Sequence, residues 1–228
     1  MSSNYFDFDI FVGSNAVTKY DHNGVSFIEG RPKSPYSIKI KNRSNRQMLA
    51  IVSVDGLSIT NGKTASAESG GIIIPGYGEH IVKGWMTSLN TSNEFVFSKI
   101  SQSYVAKSGQ DKSNIGVIGV MGFLEKIPDY HPVYRSHNTW GGPLFGSSAG
   151  DPKEGLGVAT SSAGIGTGWG NQVQTGYSET SFDRDQSTQL IRVLYYDDMK
   201  GLQKRGVVVR RYDTTPNAFP GGFCKPPF

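Results

Sequence analysis

An all-β fold of the β-sandwich type, jelly-roll or immunoglobulin-like, is what this sequence predicts, with a long Gly/Ser-rich loop and an extended C-terminal segment. Three observations predict it. About eight or nine short segments alternate apolar with polar residues or run briefly apolar, at intervals of roughly 8 to 15 residues. Turn dipeptides such as Asn23-Gly24, Asp55-Gly56 and Asn61-Gly62 separate several of them. No stretch has the apolar spacing of a convincing amphipathic helix.

The first segment, Phe6 to Val12, alternates aromatic and acidic residues before becoming continuously apolar, as a strand with one buried face does. A strand at a chain end can also add to a neighbour's sheet, so residues 1–24 are set apart as a strand or arm. Asp21-His22-Asn23-Gly24 has the chemistry of a tight turn between Val17–Tyr20 and Val25–Glu29, which predicts a hairpin. Pro32 and Pro35 interrupt the pattern, because proline has no N–H to give to a ladder. Tyr36 to Lys41 alternates cleanly, with Tyr36, Ile38 and Ile40 directed inward and the lysines outward.

The stretch from Met48 to Trp85 reads as a β-meander around which the rest is organised: strands at Met48–Val54, between Gly56 and Asn61, at Ile72–Ile74 and at Glu79–Trp85, divided by turns. Asp55 reads as a turn residue bonding the turn amides beside it rather than as a catalytic carboxylate. Trp85 reads as a core aromatic whose indole N–H seeks one partner. A further strand covers Asn93 to Ile100, and a polar connector containing Tyr104 follows. The strand from Asn114 to Glu125 carries Gly116, Gly119 and Gly122, which predicts a bend or close packing under an aromatic such as Trp85. These elements place the sandwich core in residues 25–127.

Beyond Pro128 the character changes. Residues 128–187 read as a Gly-rich extended loop, because a run from Gly141 to Gly170 is dense in Gly, Ser, Ala and Thr. Gly164 to Gly170 lacks the strand-to-helix setting of a phosphate-cradling loop. Residues 188–228 then supply a strand at Thr188–Tyr196, one or two helical turns from Asp197 to Arg205 stopped by Gly206, a last strand at Val207–Val209, and a tail with exposed aromatics.

Composition narrows the function classes. The chain has 228 residues, 36% of them hydrophobic, with 29 Gly and 11 Pro, so one packed core with a loop-rich remainder is expected. The longest apolar run is far below a membrane span, and the N-terminus lacks a secretory signal pattern. Neither membrane insertion nor signal-peptide secretion is expected. The net charge of +4 gathers toward the C-terminus in Lys200, Lys204, Arg205, Arg210, Arg211 and Lys225, a solvated surface rather than a nucleic-acid footprint. The single cysteine, Cys224, reads as an incidental thiol. Asp55, Glu79, His80, His131, His137, Asp197 and Asp198 show no catalytic or metal-ligand spacing, so no enzyme, metal or cofactor is expected.

Several motifs in order, Tyr20-Asp21-His22-Asn23-Gly24 with Phe27 to Arg31, Val52 to Leu57, Ile81 to Trp85, Ser103 to Ala106 and Ile115 to Val120, resemble a family of uncharacterised bacterial and bacteriophage β-domain proteins. Gly164 to Gly168 and Tyr196 to Val207 resemble that family's C-terminal part. The family brings no catalytic residues with it, and the chain is similar in build to virion decoration or cement proteins. What the resemblance implies is a non-enzymatic bacteriophage virion component, assembled in the host cytoplasm. Its partner would be the major capsid protein or another virion protein, with many copies per particle or a homo-oligomer. Phe6, Phe8, Phe11, Trp140, Trp169, Phe219 and Phe223 are the expected interface aromatics. The alternative is a carbohydrate- or cell-surface-binding sandwich stacking ligand on Trp85, Trp140 or Trp169; a hydrolase is the third reading.

Overall fold

The computed structural model describes residues 4–127 and 163–209. Among these residues the architecture is a β-sandwich of two seven-stranded sheets with few short helices. Among the described residues no helix is long and apolar enough to cross a membrane.

Strand β1 (Phe6–Val12) is followed by β2 (Asn15–Ala16), β3 (Lys19–His22), β4 (Val25–Glu29), β5 (Pro35–Asn42), β6 (Met48–Val54), β7 (Leu57–Ser58) and β8 (Ile72–Ile74). Then come β9 (Glu79–Val82), β10 (Gly84–Met86), β11 (Thr91–Lys99), a 3₁₀ turn (Ile100–Gln102), the helix α1 (Tyr104–Ser108), β12 (Val117–Glu125), β13 (Ile165–Gln174), β14 (Arg184–Asp197) and the helix α2 (Met199–Lys204). One sheet contains β1, β2, β5, β9, β10, β11 and β13; the other contains β3, β4, β6, β7, β8, β12 and β14.

The N-terminal strand is not an arm. β1 lies between β5 and β2 in antiparallel register, and its alternation buries Phe6, Phe8 and Ile10 in the chain's own core. Asp7 and Asp9 face outward and pair with Arg43 and Lys19. A fully buried Phe contributes about 2 kcal/mol or more by leaving water, which favours the chain's own sheet over a neighbour's. The Asn23-Gly24 hairpin also belongs to the sandwich, with both turn residues at positive φ. Tyr5, Phe6, Phe8 and Ile10 thus share one core with the strands that follow.

The stretch from Met48 to Trp85 is not one meander. β6 pairs on one edge with β12 and on the other with both β7 and β8, but β9 crosses to the opposite sheet to pair with β5, and β10 pairs with β11. The turn at Pro75–Gly78 carries the chain across the core, so this stretch ties the two layers together. Gly122 in β12 is explained by an aromatic, though not by Trp85: a Cβ there would lie 2.7 Å from the Phe6 ring.

The glycine-rich segment holds the largest departure. Ile165 to Gln174 is a strand, β13, running antiparallel along β11. Its glycines are there for proximity. A Cβ at Gly166 would meet Ser103 at 2.9 Å, one at Gly168 would meet the Ser98 hydroxyl at 3.1 Å, and one at Gly170 would meet Val96 at 2.6 Å. Glycine strings that mark loops elsewhere here let a strand lie flush against its neighbours. β14 likewise begins before the boundary placed at residue 188, while Val207–Val209 forms no strand.

Candidate functional site

The most unusual chemistry lies between the sheets. Asp55 closes the β6–β7 hairpin at φ 53, followed by Gly56 at φ 82, as a two-residue Asp-Gly loop requires. Its carboxylate does not serve the turn amides. Oδ1 accepts from the Gly116 N–H at 2.9 Å and the Tyr196 hydroxyl at 2.6 Å, and Oδ2 accepts from the Thr167 N–H at 2.8 Å. The Thr167 hydroxyl stands 2.7 Å from that of Tyr196 and 2.8 Å from that of Tyr36. With Asp55 ionised, the proton order runs Tyr36 to Thr167 to Tyr196 to the carboxylate: each hydroxyl donates once, and those of Thr167 and Tyr196 also accept once.

All four side chains are buried. Burial pushes the Asp55 carboxyl up to about 6, and the bonds from Tyr196 and the backbone amides hold it from rising further. Burial and then the Asp55 charge raise both tyrosines well above their ordinary range. Tyr36 and Thr167 come from one sheet, Asp55, Gly116 and Tyr196 from the side of the other. Enclosed from solvent, the arrangement acts as a polar clasp between layers.

Asp197 forms a second knot at the end of β14. Its Oδ1 accepts from Gly164 and Asp198 N–H groups, each at 2.8 Å, and Oδ2 faces the Arg205 Nε at 3.4 Å. Asp198 caps α2, accepting from the Gly201 N–H at 2.7 Å. A Cβ on Gly201 would collide with the Asp197 carboxyl. Neither knot was legible as such in the sequence: only Asp-Gly and Asp-Asp hinted at them, and both read as local turn or cap chemistry.

Glu79 pairs with Lys39 at 2.8 Å, and the His80 Nε2 stands 3.1 Å from the Tyr177 hydroxyl. Burial lowers the His80 pKa. Among the described residues no three His, Cys, Asp or Glu side chains gather as metal ligands.

The structure separates the expected interface aromatics. Phe6 and Phe8 are core residues, and Phe11 is half-buried beneath the Lys39 ammonium. Trp140, Phe219 and Phe223 lie outside the described residues, as do His131, His137 and Cys224. Trp85 is buried and gives its indole N–H to the Gly168 carbonyl at 3.3 Å, so it offers no stacking surface. Trp169 is 46% exposed.

Two exposed apolar surfaces bear on how the protein meets other molecules. One is the outer face of the second sheet, where Ile191 and Val193 of β14 are 44% and 43% exposed. Ile191 stands beside half-buried Met121 of β12, and beyond it Ile51 of β6 is buried in a small cluster with Leu49 and Phe123. The other surrounds Trp169. No family model, curated protein or solved structure matches the chain significantly.

Proposed function

We propose that the chain is a non-enzymatic structural subunit, a bacteriophage virion component of the capsid-decoration or other head- or tail-surface kind, which adheres to its neighbours through one face and one edge of its sandwich. The observation that supports this reading is β14. The strand runs from Arg184 to Asp197, yet β4 pairs only with Tyr195, Tyr196 and Asp197. The rest of that edge has no strand partner among the described residues, and beside it lie the exposed Ile191 and Val193, with half-buried Met121 of β12 next to Ile191. A free edge next to an apolar face is what strand addition by a neighbouring subunit uses, with backbone bonds for affinity and side-chain pockets for register.

Arg192 adds to the case. It lies on the register of buried Leu194 and Tyr196, and its Nε is buried with no partner among the described residues. Inward charges also serve to blunt edges. Blunting does not account for Ile191 and Val193 left exposed on this strand, whereas an added strand would cover them.

The test is quantitative protein analysis of purified particles carrying this gene, with wild type compared to the double variant Ile191→Glu, Val193→Glu. The expected result is many copies of the wild-type chain per particle and loss of the variant, which stays folded by circular dichroism. Absence of the chain from particles, or incorporation of the variant at the wild-type level, overturns the reading. A carbohydrate-binding role is the second reading, favoured by the half-exposed indole of Trp169.

A further inference from the structure

We infer that Trp169 and three lysines form a binding pocket for a single negatively charged sugar residue, carboxylated or sulfated. The inference stands apart from the β14 surface, so either can fail without the other.

The pocket has a volume of about 240 Å³ and is lined by Trp169, Lys33, Lys99, Lys107, Gln102 and the backbone at Gly168, among others. That is below the few hundred Å³ of a drug-sized site and suits one ring. Its indole is held from beneath. Tyr104 lies 5.1 Å from the Trp169 ring, Trp85 4.8 Å from Tyr104, and Phe95 5.3 Å from Trp85. This ladder runs from the core to the surface and ends in a ring that is 46% exposed, so its orientation is set before a ligand arrives. An indole fixed in this way presents an apolar face to the C–H groups of a pyranose.

The cations explain why the sugar must be acidic. Lys33, Lys99 and Lys107 take part in none of the ion pairs among the described residues, and no acidic side chain lines the pocket. Three exposed lysines on the lining of one small concavity set up a positive field that attracts an anion. Lys33 is also held at φ 72, in a turn where its N–H donates to the Phe97 carbonyl at 2.7 Å. Glycine would suit that conformation better, yet a lysine occupies it on the pocket lining. Gly168 keeps the wall low: a Cβ there would press on the Ser98 hydroxyl at 3.1 Å and the Gln102 carbonyl at 3.4 Å. Cations gathered on one pocket rather than strung along a groove favour a charged sugar over a single-stranded nucleic acid, which needs a track of several stacking sites.

The experiment titrates the full chain with four probes while following tryptophan fluorescence: a galacturonate tetramer, a heparin-derived tetrasaccharide, neutral cellotetraose and a short oligothymidylate. The expected result is saturable binding of one or both acidic saccharides, the two arms telling carboxylate from sulfate, with cellotetraose and oligothymidylate at least about tenfold weaker. Calorimetry then compares variants. Trp169→Ala, and the triple replacement of Lys33, Lys99 and Lys107 by Gln, each weaken binding at least about tenfold, while Trp169→Tyr preserves it within roughly threefold. Replacing Lys63, Lys83 and Lys112 by Gln removes equal charge elsewhere and leaves affinity unchanged. No acidic saccharide binding up to roughly 10 mM, equal loss in the control triple, equal binding of cellotetraose, or preference for oligothymidylate would each overturn the inference.

Discussion

The Tyr196 hydroxyl donates a 2.6 Å hydrogen bond to Oδ1 of Asp55 between residues 141 positions apart in sequence. It joins the end of β14 to the β6–β7 turn, and through the Thr167 hydroxyl, 2.7 Å away, it reaches the opposite sheet. Removing it takes one donor from the buried carboxylate, which keeps the Gly116 and Thr167 N–H groups, and leaves the buried threonine hydroxyl without its acceptor. Tyr196→Phe is therefore expected to cost about 1–3 kcal/mol in urea unfolding. Tyr36→Phe, which removes only the outermost donor at 2.8 Å from Thr167, should cost about 1 kcal/mol. A larger loss at Tyr36 than at Tyr196 would refute the direction assigned to the chain of hydroxyls.

The same carboxylate makes stability depend on pH. Its folded pKa, about 6, lies above the ordinary 3.8. Between those values the folded chain keeps a proton that the unfolded chain has released. The stabilisation from this group is thus complete below the ordinary value and is lost as pH rises through about 6, a change of at most roughly 3 kcal/mol. Asp55→Asn removes that titration and also turns an amide N–H₂ toward a neighbouring donor. The unfolding free energy of wild type minus that of Asp55→Asn should be largest near pH 4 and shrink by pH 7. A difference that stays flat over this range would count against the assignment.

Two glycines of β12 offer an internal contrast. A Cβ at Gly122 would sit 2.7 Å from the buried Phe6 ring, while one at Gly119 would meet only the Ser53 hydroxyl at 2.8 Å, on the outer face. A core ring has nowhere to move; a serine rotates away. Gly122→Ala is expected to lower stability by about 1–3 kcal/mol and Gly119→Ala by less than about 0.5 kcal/mol. Similar thermal midpoints for the two variants would show that β12 does not press on Phe6.

At Gly201 helix propensity and packing oppose each other. Alanine is the better helix former by about 1 kcal/mol, but its Cβ would collide with the Asp197 carboxyl. Packing should win, because Asp197 also holds Gly164 and Asp198 through 2.8 Å bonds. Gly201→Ala is expected to destabilise by about 1–3 kcal/mol, with early loss of amide-exchange protection at Gly164. A stabilised variant would mean that the knot yields without cost.

Much of the sandwich was written locally. Alternation in Phe6–Val12 and Tyr36–Lys41 marks strands because a side-chain period of two is a property of the extended backbone itself. Asn23-Gly24 and Asp55-Gly56 mark tight turns because both of their residues must adopt positive φ. Asp198 and Gly206 bound α2 for equally local reasons, a side-chain cap at one end and a left-handed stop at the other.

Partner choice was not written that way. Whether Phe6 lies in its own core or a neighbour's, whether Gly166, Gly168 and Gly170 make a loop or a strand, and which donors answer Asp55 all depend on surfaces that meet only when the layers close. A glycine in a loop and a glycine pressed against Val96 are the same letter. The amino-acid order by itself determined where the backbone extends and where it turns, since those are preferences of a few adjacent residues. Only the packed structure decided what each extended segment touches, because contact energy belongs to pairs of surfaces and not to either segment alone.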